Sequence, residues 1–182
     1  MMTTLLILAP LFVPLLGGIT YLVAGWRPAT VWVSALCAAI VLAAAITLAV
    51  LVAEHGAQDS VGGMLRVDAL SVFMLIVIGA VGLLATAATP AWLRGEITAG
   101  RASARTAARH SLLVQCFLAA MALAVLAANL GVVWVAIEAT TIVTAFLVGQ
   151  RRTKAAVEAA WKYVVICSTG IALALLGVLL LN

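Results

Sequence analysis

The feature that most limits what this chain can become is a series of apolar runs, each about twenty residues long and parted by short polar breaks. At 1.5 Å per residue such a run makes about 30 Å of helix, one hydrocarbon thickness. Six runs fit the sequence, at residues 3–24, 29–53, 69–89, 111–128, 130–149 and 155–181. A bilayer offers no water to backbone N–H and C=O groups, so runs this long and this apolar cross it as helices that satisfy their own backbone. The expectation is an all-α, polytopic membrane protein of about six spans, forming a single transmembrane domain over residues 1–182. Composition agrees: 66% of residues are hydrophobic and 9% charged, against about 25% charged in a soluble domain.

The breaks carry their own signals. Met1 to Thr4 holds no basic residue and the first apolar run continues to Ala24, too long for a signal peptide's core, so it reads as a retained span. Gly25-Trp26-Arg27-Pro28 reads as an interfacial turn, with Pro28 placed to open the second helix. Residues 54–67 are polar, with Gly62-Gly63 marking a turn, and allow a short extended pair. Asp68 and Ser71 then suit the N-terminus of the third helix, where a carboxylate meets the positive end of the dipole. Between Pro90 and His110 lie Arg94, Arg101, Arg105 and Arg109. The last three are spaced by four, predicting a surface helix with one basic face turned to anionic headgroups. Asn129-Leu130-Gly131 is so tight a connection that spans four and five must be antiparallel neighbours.

Lysine and arginine divide unevenly between the two ends of these spans. Arg27, Arg94, Arg101, Arg105, Arg109, Arg151, Arg152 and Lys154 fall on one side and only Arg66 on the other. The positive-inside rule places the eight in the cytoplasm and both termini on the outer, periplasmic face of the cell's inner (plasma) membrane. The formal charge of +4 is thus a matter of orientation, and no interleaving of basic and aromatic residues points to nucleic acid. Cys37, Cys116 and Cys167 lie far apart inside apolar runs, without metal-ligand spacing. His55 and His110 fall at polar breaks and read as interfacial. No haem ligand pair, thiolate cluster or glycine-rich nucleotide loop is present, so the reading carries no cofactor and no metal.

Three charges lie inside the spans, Glu138 in the fifth and Glu158 and Lys162 in the sixth. Glu138 is the single charge in the 20 residues from Leu130 to Gly149. A carboxylate at that depth costs roughly 2.5–3.5 kcal/mol on insertion scales, so it is expected to face protein or a water path. Gly131, Trp134, Thr141 and Ala145 share its helical face, while Ala136, Thr140, Val143 and Leu147 lie opposite. Small and polar neighbours of that kind suit a seam between helices. Lys162 in span six lies roughly 13 Å, and Glu138 roughly 18 Å, from the basic end along their helices. Two readings of Lys162 stand open: an electrostatic partner of Glu138, or a local pair with Glu158, four residues earlier in the favoured acid-before-base order. A coupled acid and base shift one another's proton affinity, which is the chemistry of proton handling.

With these residues in place the sequence resembles the N-terminal part of the antiporter-like membrane subunits of respiratory complex I, multi-subunit sodium/proton antiporters and membrane-bound hydrogenases, and within that group the F-type membrane protein of the hydrogenase-4 and formate hydrogenlyase branch. The likeness rests on Arg66-Val67-Asp68-Ala69-Leu70-Ser71, Met121 through Asn129-Leu130, Trp134, Glu138-Ala139-Thr140-Thr141, and Arg151-Arg152-Thr153 through Ala159-Ala160-Trp161-Lys162-Tyr163 to Cys167-Ser168-Thr169-Gly170. It implies a proton-translocating membrane-arm component of a complex-I-like NADH-quinone oxidoreductase or hydrogenase, with Glu138 as the protonatable switch, Lys162 as its partner, and Glu158, Thr141 and Trp134 in support. A sodium/proton antiporter component and a non-conducting scaffold are the rival readings. The resemblance further implies that electron transfer happens in other subunits and that helices completing the channel come from beyond this sequence, whether the chain is a fragment, a split subunit or a reduced protein.

Overall fold

The computed structural model describes residues 2–151 and 153–181. Arg152, counted above among the basic residues, lies outside them, as do Met1 and Asn182. Six long helices follow in order: α1 (Met2–Val23), α2 (Val33–His55), α3 (Ala69–Thr98), α4 (Ala104–Leu126), α5 (Leu130–Val148) and α6 (Lys154–Leu181). All six are long and apolar enough to cross a membrane. The chain is a polytopic all-α membrane protein. Among the described residues the β-strands are the extended pair expected before Asp68, β1 (Gln58–Ser60) against antiparallel β2 (Leu65–Val67), with Asp59 opposite Arg66. The turn between them holds Val61, Gly62 and Gly63 at positive φ, and two glycines make that conformation accessible.

Helices α1 to α4 form a closed ring, each packed on the next and α4 returning to α1. Close approach is built into the sequence at small residues. A Cβ on Gly79 of α3 would stand 2.8 Å from the Cα of Leu42 on α2, so the two backbones touch there. Pro10 and Pro14 are fully buried within α1, where neighbouring helices tolerate the lost backbone bonds. The core gathers Ile7, Leu48, Val72, Leu75 and Leu126 with Leu65 and Val67 of the hairpin. The hairpin therefore stops one end of the ring. It is stitched to the α4–α5 connection, where Ala128 N donates to Met64 O at 2.9 Å.

Three expectations need correction. Residues 28–32 form turns and α2 begins at Val33. The reason is local, since Thr30 N donates to Arg27 O and the Thr30 hydroxyl to Gly25 O, closing a turn that the buried Tyr21 hydroxyl clamps by donating to Thr30 O. Pro90 does not end the third helix; α3 runs eight residues further, to Thr98. Nor do Arg101, Arg105 and Arg109 share a helix face. Ser103 caps α4 by accepting from Thr106 N, and Gly100 at φ 69° turns the chain just before it, leaving Arg101 in the loop. The cap predicted at Asp68 forms, its carboxylate accepting from Ser71 N at 2.8 Å.

Candidate functional site

Helix α5 is short, 19 residues with Glu138 near its centre. It packs on α4 on one side and α6 on the other, and α6 packs on α5 and the turn that joins them. That placement explains an unexpected burial. Ala136 lies opposite Glu138 on the helix yet is only 1% exposed, because α5 has a neighbour on both faces.

The face bearing Glu138 meets α6. Ser168 donates its hydroxyl to Glu138 Oε1 at 2.6 Å, and four residues earlier on α5 the Trp134 indole donates to the backbone oxygen of Ile171 at 3.2 Å. The second carboxyl oxygen, Oε2, is buried and has no hydrogen-bond partner among the described residues. Thr141, one turn on, is buried with its hydroxyl donating to Ile137 O at 3.3 Å. The seam thus holds one oxygen of a membrane-embedded acid by a single donor and leaves the other unmatched. A carboxylate offers about four lone-pair positions, so the free oxygen keeps capacity for a further donor.

Lys162 does not join this seam. Its Nζ lies 2.5 Å from Glu158 Oε1 and both side chains stand in the open, 66% and 65% exposed. Helical geometry accounts for it: Ser168 is six residues beyond Lys162, which is about 120° round the helix and roughly 9 Å along it. When Ser168 faces Glu138, Lys162 faces elsewhere. Of the two readings the sequence left open, the local Glu158 pair is the one the fold forms. Ser168 itself was missed as a site residue. The signal was a hydroxyl inside an apolar run on the helix following the acid, but three neighbouring residues, Cys167, Ser168 and Thr169, competed for the part.

A second cluster sits at the basic end. Glu96, at the last turn of α3, is 8% exposed and accepts from Arg101 Nε at 3.1 Å and Nη2 at 2.9 Å, with Arg151 Nη2 3.5 Å from its other oxygen. The carboxylate raises the proton affinity of the Arg101 guanidinium, chiefly through that hydrogen bond, so the pair stays charged. Nearby, Gln150 donates to Thr106 O at 2.8 Å and meets His110 Nδ1 at 3.1 Å, while the His110 ring packs on Trp92. Glu96 and Gln150 thereby tie the α3–α4 loop and the start of α4 to the α5–α6 turn.

Comparison with known proteins adds a relative. No family model matches the chain. Among curated proteins it is similar to the hydrogenase-4 component F homolog of Methylacidiphilum infernorum (isolate V4), at 32% identity over 123 residues, which is 68% of this chain and 26% of that protein. The aligned stretch spans about a quarter of the length of that relative.

Proposed function

We propose that this chain is the N-terminal portion of an antiporter-like membrane subunit of the hydrogenase-4 type, and that Glu138 is the group in it that takes up and releases protons. The observation that carries this reading is the seam itself: an acid at mid-helix, oriented by Ser168, with a buried oxygen left unmatched. Similarity to a hydrogenase-4 component F homolog supports the complex-I-like setting, in which redox chemistry belongs to other subunits and this one moves protons. The eight-to-one bias of basic residues supports a cytoplasmic position for the Glu96 end, an outer position for the hairpin, and insertion in the inner membrane.

The open side of α6 supports further partners. Glu158 and Lys162 lie roughly 6 and 12 Å inside that helix and are largely exposed in this chain. Charges at such depth face protein or water in a finished assembly. Helices that complete the subunit would cover them, and Lys162 would then enter the relay through those helices. Glu138→Gln decides the matter in the assembled complex reconstituted into vesicles. Proton uptake falls steeply while the amount of assembled complex holds. Normal uptake sinks the assignment, and reduced assembly with unchanged activity per complex means the acid only holds the helices together.

A further inference from the structure

The basic end contains a cleft of about 820 Å³ among the ends of α3, α4 and α5, bordered by Arg101, Arg105, Arg109 and Arg151, with Glu96 as the one acid. Glu96 is already engaged by Arg101 and Arg151. Arg105 and Arg109, one turn apart on α4, border the same cleft and form no ion pair among the described residues. A groove of about 540 Å³ begins at the same Arg109 and runs between α5 and α6, and its other walls are apolar, among them Ile142, Phe146, Val157 and Trp161. The Arg109 guanidinium carbon sits 6.0 Å from the centre of the Phe146 ring, where charge meets grease.

A cationic cleft and an apolar groove that share Arg109 as a lining residue, at the end of a spanning bundle, together have the polarity of a single amphiphile. We propose that the cleft and the groove together hold one anionic phospholipid, its phosphate between Arg105 and Arg109 and one acyl chain laid along the α5–α6 groove. Charge complementarity selects this occupant. A free phosphate leaves the groove unexplained, and an apolar partner helix leaves two arginines unmatched. Basic pockets between spanning helices at the cytoplasmic surface are suited to anionic headgroups. The proposal needs only that the chain spans a membrane, so it stands apart from the proton-transfer reading. Its consequence is mechanical, because the lipid would join α4 to α6, which otherwise packs on α5 and the turn between them.

The test uses the full chain in nanodiscs of phosphatidylcholine containing a minor fraction of phosphatidylglycerol, with retained lipid counted by mass spectrometry after extraction. Phosphatidylglycerol is retained above its bulk fraction, and Arg105→Gln with Arg109→Gln lowers that retention about tenfold or more, the weight of two basic residues at an anionic surface. Arg27→Gln with Arg94→Gln, two charges removed at residues that do not line the cleft, leaves it unchanged. No enrichment in the unmodified chain, or equal loss in both double variants, overturns the proposal. So does full displacement by soluble glycerol phosphate, which would mark a free phosphate site. If the arginine variant does not fold, Ala160→Phe keeps every charge and fills the groove, and unchanged retention in that variant overturns the proposal by itself.

Discussion

The four-helix ring and the α5–α6 arm are built from equally apolar sequence but to opposite ends. The ring buries a core of large side chains, Ile7, Leu48, Leu75 and Leu126 among them, touches backbone to backbone at Gly79, and is stopped at one end by a hairpin. The arm buries little: Ala136, Thr141 and Ala145 on α5, and none of the described residues of α6. Yet the arm carries the charges that fall inside the spans, Glu138, Glu158 and Lys162. Tight packing and in-span charge are thus divided between two parts of one bundle. Low packing where the acid sits is what a region needs if its partners come from elsewhere or its side chains must rearrange.

The widest gap between the two regions should appear on truncating a leucine in each. Leu48→Ala, at a fully buried site in the ring, is expected to cost about 2–5 kcal/mol as a cavity opens. Leu173→Ala, at an exposed site on α6, should stay within about 0.5 kcal/mol. Reversible unfolding in detergent measures both, and similar losses would erase the distinction. Next comes Gly79→Ala, whose new methyl meets the Leu42 backbone. Over-packing of about 1–3 kcal/mol is expected, with the α2–α3 pair spreading.

Within the arm, Ser168→Ala removes the donor to Glu138. A hydrogen bond between membrane helices is worth about 0.5–2 kcal/mol, so the chain should stay folded while the Glu138 carboxyl band moves in infrared difference spectra. An unmoved band would mean that the hydroxyl does not orient the acid. The smallest effect belongs to the rim of the ring. Backbone and side-chain hydrogen bonds at Ser71 hold the Asp68 carboxyl below the usual aspartate range. A depressed acid stabilises the fold fully above its unfolded value and loses that contribution as pH falls through the folded one. Asp68→Ala should therefore cost about 1 kcal/mol at neutral pH, and the difference from the unmodified chain should vanish in acid.

Much of this division was legible beforehand. Six apolar runs foretold six helices because a bilayer leaves the backbone no other solution. The polar stretch before Asp68, with its glycine pair, foretold the hairpin and the cap. Small and polar residues around Glu138 foretold a seam, because that face is built for close approach. What stayed hidden depends on how far one helix slides and turns against another. Ser168, not Lys162, comes level with the acid, and a shift of about 9 Å along α6 is invisible in residue counts. Pro90 looked like a stop because local rules penalise it, but in a packed bundle its neighbours supply the compensation. Glu96 is the one acid between Pro90 and His110 in the sequence, and only the fold brings Arg101 and Arg151 onto it from two different connections.

The hairpin has a consequence for motion as well as for stability. With Leu65 and Val67 in the core of the ring, and Met64 and Leu65 paired to the connection that starts α5, motion at that end of the ring is passed to the base of the arm. The first four helices then serve as a fixed bulkhead. On the proposed reading, any displacement that accompanied proton transfer at Glu138 would be pushed outward, into α6 and whatever leans against it.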